Sequence, residues 1–245
     1  MHQGQVFVGT SGWNFKSWEG DFYPDRMPGK ELLPEYARHF RSVEVNNSFY
    51  NLPEPETAEA WAKDVPNDFR FACKASRYIT HMKKLKDPAE GIDRLMEALE
   101  PLGKKLGPIL FQLPPNWRVN TERLEAFLEK LPGRHRYTFE FRDPSWHCDE
   151  VYELLEEYKA ALCFYDYQKY QSPERPTADF VYIRLHGPEE TAYTGSYDGR
   201  TLAGYARKIQ RWQEEGRDVY CYFDNDEKAC APKDAAKLCE MLAGR

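Results

Sequence analysis

Eight short hydrophobic runs recur along the chain, and each ends in polar residues: VFVGTSGW (6–13), VEVNNSFY (43–50), RFACKAS (70–76), ILFQLP (109–114), YTFEFRD (137–143), ALCFYD (161–166), FVYIRLHG (180–187) and VYCYFDN (219–225). Stretches with helical periodicity separate most of them. Strands that alternate with helices favour a parallel sheet with right-handed crossovers, and eight such units favour closure into a barrel. The pattern predicts an α/β protein with a single TIM-type (β/α)8 barrel over residues 1–245, near the roughly 250 residues usual for that fold. Barrels of this kind carry their chemistry at the carboxyl ends of the strands, so the tails of the eight runs nominate a site.

Helices are expected over 55–64, 88–100, 121–131, 149–159, 201–215 and 232–243, the third capped by Asn120 or Thr121. One unit breaks the pattern. Residues 167–179 (YQKYQSPERPTAD) hold two prolines and no apolar period, so a loop is expected to replace the helix after the sixth strand.

The formal charge is −6, from 34 basic and 40 acidic residues, which gives no bulk attraction to polyanions. No apolar stretch approaches the roughly 20 residues of a membrane span, and the N-terminus reads as a strand start, not a signal peptide. A cytoplasmic protein without membrane association is expected. The six cysteines form no C-x-x-C pair and no zinc-type spacing with histidine. Rossmann and P-loop glycine patterns are absent.

Every second residue of a barrel strand faces inward. Glu140 shares parity with Arg142, Glu44 with Asn46, and Arg184 with Tyr182 and His186, and none of these suits an apolar helix layer. They are therefore expected inside the mouth with Lys74, Gln112 and either Asp224 or Asn225. A buried ion network that fixes barrel register would look the same residue by residue. Its confinement to the tails of at least five strands favours a site.

The loops above these tails are rich in aromatics: Trp13 and Trp18, Phe49 and Tyr50, Trp117, Trp146, Tyr167 and Tyr170, Tyr193 and Tyr197. Some must anchor loops; others could stack on a sugar ring or a nucleobase, and Trp13, Tyr50 and Trp146 are taken as candidate substrate-binding residues. The segment SRYITHMKKLKD (76–87) adds Arg77, Lys83, Lys84 and Lys86 against one Asp87, the one candidate anion patch in an acidic chain.

The stretches GTSGWNFKSWEGDFYP (9–24), VEVNNSFYNLP (43–53), FACKASRYITHMKKLKD (71–87), GPILFQLPPNW (107–117), FEFRDPSW (139–146), FVYIRLHG (180–187) and VYCYFDND (219–226) together resemble the YecE-like proteins, domain-of-unknown-function family 72. The resemblance spans essentially the whole chain and implies a TIM-type barrel, with no established reaction. Asp143 departs from the histidine that the family commonly carries after FEFR.

Among barrel chemistries, the commonest glycosidase layout needs carboxylates on the fourth and seventh strands, which here end in Gln112 and His186. A multi-metal hydrolase needs several histidines at strand tails, and His186 alone sits at one. A single divalent ion on Glu44, Glu140, His186 and Asp224 is a lesser alternative, and no cofactor is predicted. The expectation is a metal-independent acid/base enzyme, a lyase, isomerase or hydrolase, acting on an anionic or polyol small molecule. Glu140, Glu44, Lys74 and His186 would be catalytic, and Trp13, Asn46, Tyr50, Arg77, Gln112, Arg142, Trp146, Arg184, Asp224 and Asn225 would bind substrate. Two alternatives stand beside it: a nucleic-acid binding or processing protein using the basic 76–86 loop, and a non-catalytic ligand sensor.

Overall fold

A computed structural model describes residues 3–244. Its strands are β1 (Val6–Thr10), β2 (Ser42–Val45), β3 (Arg70–Lys74), β4 (Leu106–Leu113), β5 (Tyr137–Phe141), β6 (Ala161–Tyr167), β7 (Tyr170–Gln171), β8 (Phe180–Leu185) and β9 (Asp218–Phe223). The helices are α1 (Gly29–His39), α2 (Pro55–Asp64), α3 (Ala89–Leu99), α4 (Thr121–Leu128), α5 (Asp149–Glu157), α6 (Gly199–Glu214) and α7 (Cys230–Ala243).

Eight parallel strands run in the order β1-β9-β8-β6-β5-β4-β3-β2, and the two-residue β7 folds back antiparallel on β6. The barrel is therefore nearly closed. Its seam lies between β1 and β2, where a single bridge, Ser11 to Glu44, replaces a ladder. The two strands approach too closely there for a side chain: a Cβ on Gly9 would lie 2.0 Å from the Ser42 carbonyl oxygen. A tyrosine hydroxyl from α1 fills the gap in the hydrogen bonding. Tyr36 Oη accepts from the Thr10 amide at 2.9 Å and donates to the Ser42 carbonyl at 3.1 Å.

Alternation along the strands divides the apolar residues into two bodies. One lies between the sheet and the helices and includes Val43, Phe71, Phe111, Phe139, Ile183 and Leu238. The other fills the barrel itself, with Phe7, Phe180, Tyr220, Tyr182 and Tyr222 among its members. Two arginines cover its amino end: Arg70 lies over the Phe7 ring at 5.9 Å, and Arg136 over Phe180 at 5.1 Å while paired to Asp218 at 2.6 Å. The interior thus grades from aromatic to charged towards the carboxyl ends.

The six expected helices are present with ends within three residues of the expectation. Asn120 caps α4 by accepting from the Arg123 amide at 2.8 Å, and Asp198 caps α6 through the Thr201 amide. No helix lies between β6 and β8 among the described residues, as the two prolines imply. Helix α1 is not among those expected, because Pro34 interrupts its apolar pattern. Among the described residues no helix is long and apolar enough to cross a membrane.

Candidate functional site

Strand parity brings seven charged or imidazole side chains to the carboxyl end of the barrel: Glu44, Lys74, Glu140, Arg142, Arg184, His186 and Asp224. Arg184, 1% exposed, is the hub. Its Nη2 lies 2.8 Å from Glu44 Oε1 and 2.8 Å from Asp224 Oδ2, its Nε 2.9 Å from Glu44 Oε2, and its Nη1 2.9 Å from Glu140 Oε2. Arg142 Nε donates to the other oxygen of Glu140. Glu44 also accepts from Ser11 Oγ and Tyr182 Oη, both at 2.6 Å.

These contacts set the protonation states. Burial, the largest influence on both glutamates, favours their neutral forms. For Glu44 the charge and hydrogen bonds of Arg184, with those from Ser11 and Tyr182, outweigh it; for Glu140 the charges of Arg142 and Arg184 do so. Both carboxyls stay below the usual range and ionised. His186 is neutral, because burial and then the neighbouring Arg184 press its pKa well down. Nδ1 lies 2.7 Å from the Asp166 carbonyl and donates to it, so Nε2 accepts from Arg184 at 2.7 Å and Arg142 at 3.1 Å. Its lone pair is therefore held between two cations.

Three groups titrate nearer neutrality. Burial, followed by the charge of Arg184, lowers Lys74 to about 8. Burial raises Asp224 to about 6 against the pull of Arg184, and burial with Asp224 nearby raises Asp226 to about 8. Among the described residues no carboxylate accepts a hydrogen bond from Lys74; its Nζ rests 4.4 Å from the centre of the Phe49 ring. Among the described residues it is the one cation of this cluster without an ion pair.

Gln112 and Arg142 open onto a cleft of about 360 Å³ that is also lined by Tyr165, Tyr167, Tyr170 and Tyr193. The Arg142 guanidinium lies over the Tyr165 and Tyr167 rings, 4.7 and 4.2 Å from their centres. Asn46 has the expected parity, and its buried Oδ1 finds no partner among the described residues.

Five expected binding residues lie elsewhere. Asn225 ties a loop to α7, donating to Gly195 O at 2.7 Å and Asp234 Oδ2 at 2.9 Å, so Asp224 is the member of that pair in the network. Trp146 is buried, stacks on Phe141 at 5.0 Å and donates to Trp117 O, because Phe141 faces the helix layer. Trp13 packs edge-on against Trp61 of α2. Tyr50, 67% exposed, lines a separate groove with Ser76 and Arg94, and Arg77 is exposed on the loop after β3.

Two carboxylates escaped the sequence reading. Asp166 accepts from the His186 amide at 2.8 Å and Tyr197 Oη at 2.6 Å, fixing the tail of β8. Asp226 shares the parity of Asp224, and that signal was available; one of its oxygens is buried without a partner among the described residues.

Residues 7–245 match the family described as "Protein of unknown function DUF72". UPF0759 protein YecE of Escherichia coli is 32% identical over 142 residues, covering 58% of this chain and 50% of that protein, so the match spans about half of that relative's length. UPF0759 protein YunF of Bacillus subtilis is 24% identical, with 97% and 94% of the two chains covered. A DUF72 family protein from Thermotoga maritima has a similar structure, with a TM-score of 0.87 and 29% identity over 97% of this chain and 99% of that one.

Proposed function

Because the chain belongs to the DUF72 family, whose function is unknown, its activity has to be argued from the barrel mouth, and we propose a metal-independent enzyme that uses the Lys74 amine on an anionic carbonyl compound. One observation carries this reading: Lys74 is the unpaired cation of a network whose other charges hold one another. An amine with a pKa of about 8 is neutral in about one molecule in ten at pH 7, enough to act as a nucleophile.

The neutral amine nitrogen would add to the carbonyl carbon and give up one proton, and the oxygen would take up that proton and a second one from an acid and leave as water, giving an iminium that withdraws electrons from the neighbouring carbon. Asp224, which titrates near neutrality and is felt electrostatically by Lys74, would exchange those protons. Arg142 would meet the anionic group. Glu44 and Glu140 fit as positioning residues, since their oxygens are engaged by arginines, and His186 has no free lone pair. The same engagement argues against these groups as a metal-ligand set.

Reduction with sodium borohydride in the presence of small keto acids and aldose phosphates, followed by peptide mass spectrometry, tests the proposal. A covalent adduct concentrated on Lys74 is expected. Adducts spread evenly over surface lysines, or none on Lys74, would overturn it.

A second reading is favoured by the loop after β3. Lys83, Lys84 and Lys86 are exposed there and have no carboxylate partner among the described residues. Such a patch fits the backbone of a nucleic acid. Binding of a labelled oligonucleotide that weakens steeply with salt would support that reading, and a salt-independent result would reject it.

A further inference from the structure

Three of the eleven left-handed non-glycine residues among the described residues lie around one cleft. The link between β6 and β7 is a two-residue turn that sets Tyr167 opposite Tyr170, and both central residues are left-handed, Gln168 at φ 50° and Lys169 at φ 63°. Turns of this shape ordinarily use Asn-Gly, because side chains resist φ > 0. Across the mouth, Tyr193 is left-handed as well, at φ 66°, a genuine outlier for so bulky a residue. It is held by a 2.8 Å hydrogen bond from its amide to the His186 carbonyl. The loop turns back at Gly187, where a Cβ would lie 2.3 Å from Thr194 O. Strain of this kind persists where surrounding structure imposes it, and it clusters at ligand clamps.

The strained turn and the loop opposite it frame one surface. Tyr170 and Tyr193 are 42% and 44% exposed, and both line the cleft above Arg142. Arg142 is oriented by Glu140 through Nε and by His186 through Nη2, while Nη1 has no hydrogen-bond partner among the described residues. The amides of Gln112 and Gln168 line the same space. The cleft thus offers aromatic faces, an oriented cation and side-chain amides, in a volume near the lower end for ligand sites.

We propose that this cleft is a binding subsite for a monosaccharide-sized anionic sugar, its ring against Tyr170 and Tyr193 and its acidic group on Arg142. An aromatic acid would use the tyrosine faces and the cation but leave the amides of Gln112 and Gln168 idle, whereas a sugar's hydroxyls engage them. The inference rests on the reading that the mouth takes an anionic small molecule, and it names the class.

The test is a titration calorimetry series on the full chain with glucuronate, glucose 6-phosphate, glucose and benzoate. One of the two anionic sugars should bind at least tenfold more tightly than glucose and benzoate, and which one binds tells a carboxylate from a phosphate. Tyr193→Gly suits the left-handed backbone and removes the ring, so it should leave the melting temperature unchanged or raised while weakening that binding at least tenfold. Tyr170→Ala, at an exposed position, should weaken it in the same direction. Failure of both anionic sugars to exceed glucose and benzoate, or unchanged affinity in Tyr193→Gly, would overturn the proposal. The titration reads binding and needs no imine, so it can succeed where borohydride trapping fails, and the reverse.

Discussion

Replacing Glu140 with Gln separates a structural carboxylate from a reacting one. The side chain is fully buried and accepts from Arg184 Nη1 at 2.9 Å and from Arg142 Nε. Gln keeps the shape but removes the charge, and it turns one acceptor into an amide that confronts a guanidinium donor. Breaking a buried ion pair from one side costs about 3–5 kcal/mol. At about 2–4 °C per kcal/mol for a chain of this size, the melting temperature should fall by roughly 6–20 °C. Calorimetry and urea unfolding at pH 7 measure it. The pH dependence has a definite sign. Glu140 is held below its ordinary range in the fold, so its contribution is complete above the unfolded value of about 4.3 and is lost as pH falls. The gap between the two proteins should therefore narrow in acid. Adding Arg142→Met to the variant should restore part of the loss, since it removes one of the charges left without a counterion. A variant within about 1 kcal/mol of the parent that no longer forms the Lys74 adduct would refute this reasoning and make Glu140 a reacting group.

Lys74→Met should stabilise the protein at neutral pH. The folded pKa of about 8 lies below the unfolded value of about 10.4, so the parent gains stability as pH rises between them and the advantage of the variant should disappear; urea unfolding from pH 7 to 11 checks this, and an advantage independent of pH would count against a charged, buried Lys74. Tyr36→Phe removes the hydroxyl that serves Thr10 N and Ser42 O across the seam and should cost about 1–3 kcal/mol. Hydrogen exchange at the Thr10 amide should quicken, and unchanged protection there would show that the seam does not depend on that hydroxyl.

Parity alone placed Glu44, Glu140, Arg142, Arg184 and His186 at the mouth, because a period of two along a strand leaves a charged side chain only the barrel or the apolar helix layer to face. What parity cannot show is how such groups divide one another's hydrogen bonds. Glu140 and His186 look reactive in a string of letters, yet both are engaged by arginines whose reach depends on neighbouring strands. The hairpin of β6 and β7 was hidden for a different reason: Gln168-Lys169 is not a turn sequence, so local propensity pointed away from the conformation that tertiary contacts impose. Trp146 shows the limit for loops. An aromatic three residues beyond Asp143 can rise over the mouth or fold under it, and stacking on Phe141 decided for the second.

The aromatic filling of the barrel bears on traffic. From Phe180 up to Tyr182 and Tyr222 the interior is packed, and Arg70 and Arg136 lie across its amino end. A molecule that reaches Lys74 must leave by the way it came, so departure of one ligand has to precede arrival of the next. For the enzyme proposed above, emptying of the tyrosine-lined cleft beside Arg142 would have to precede the next binding event, and its rate would set a ceiling on turnover.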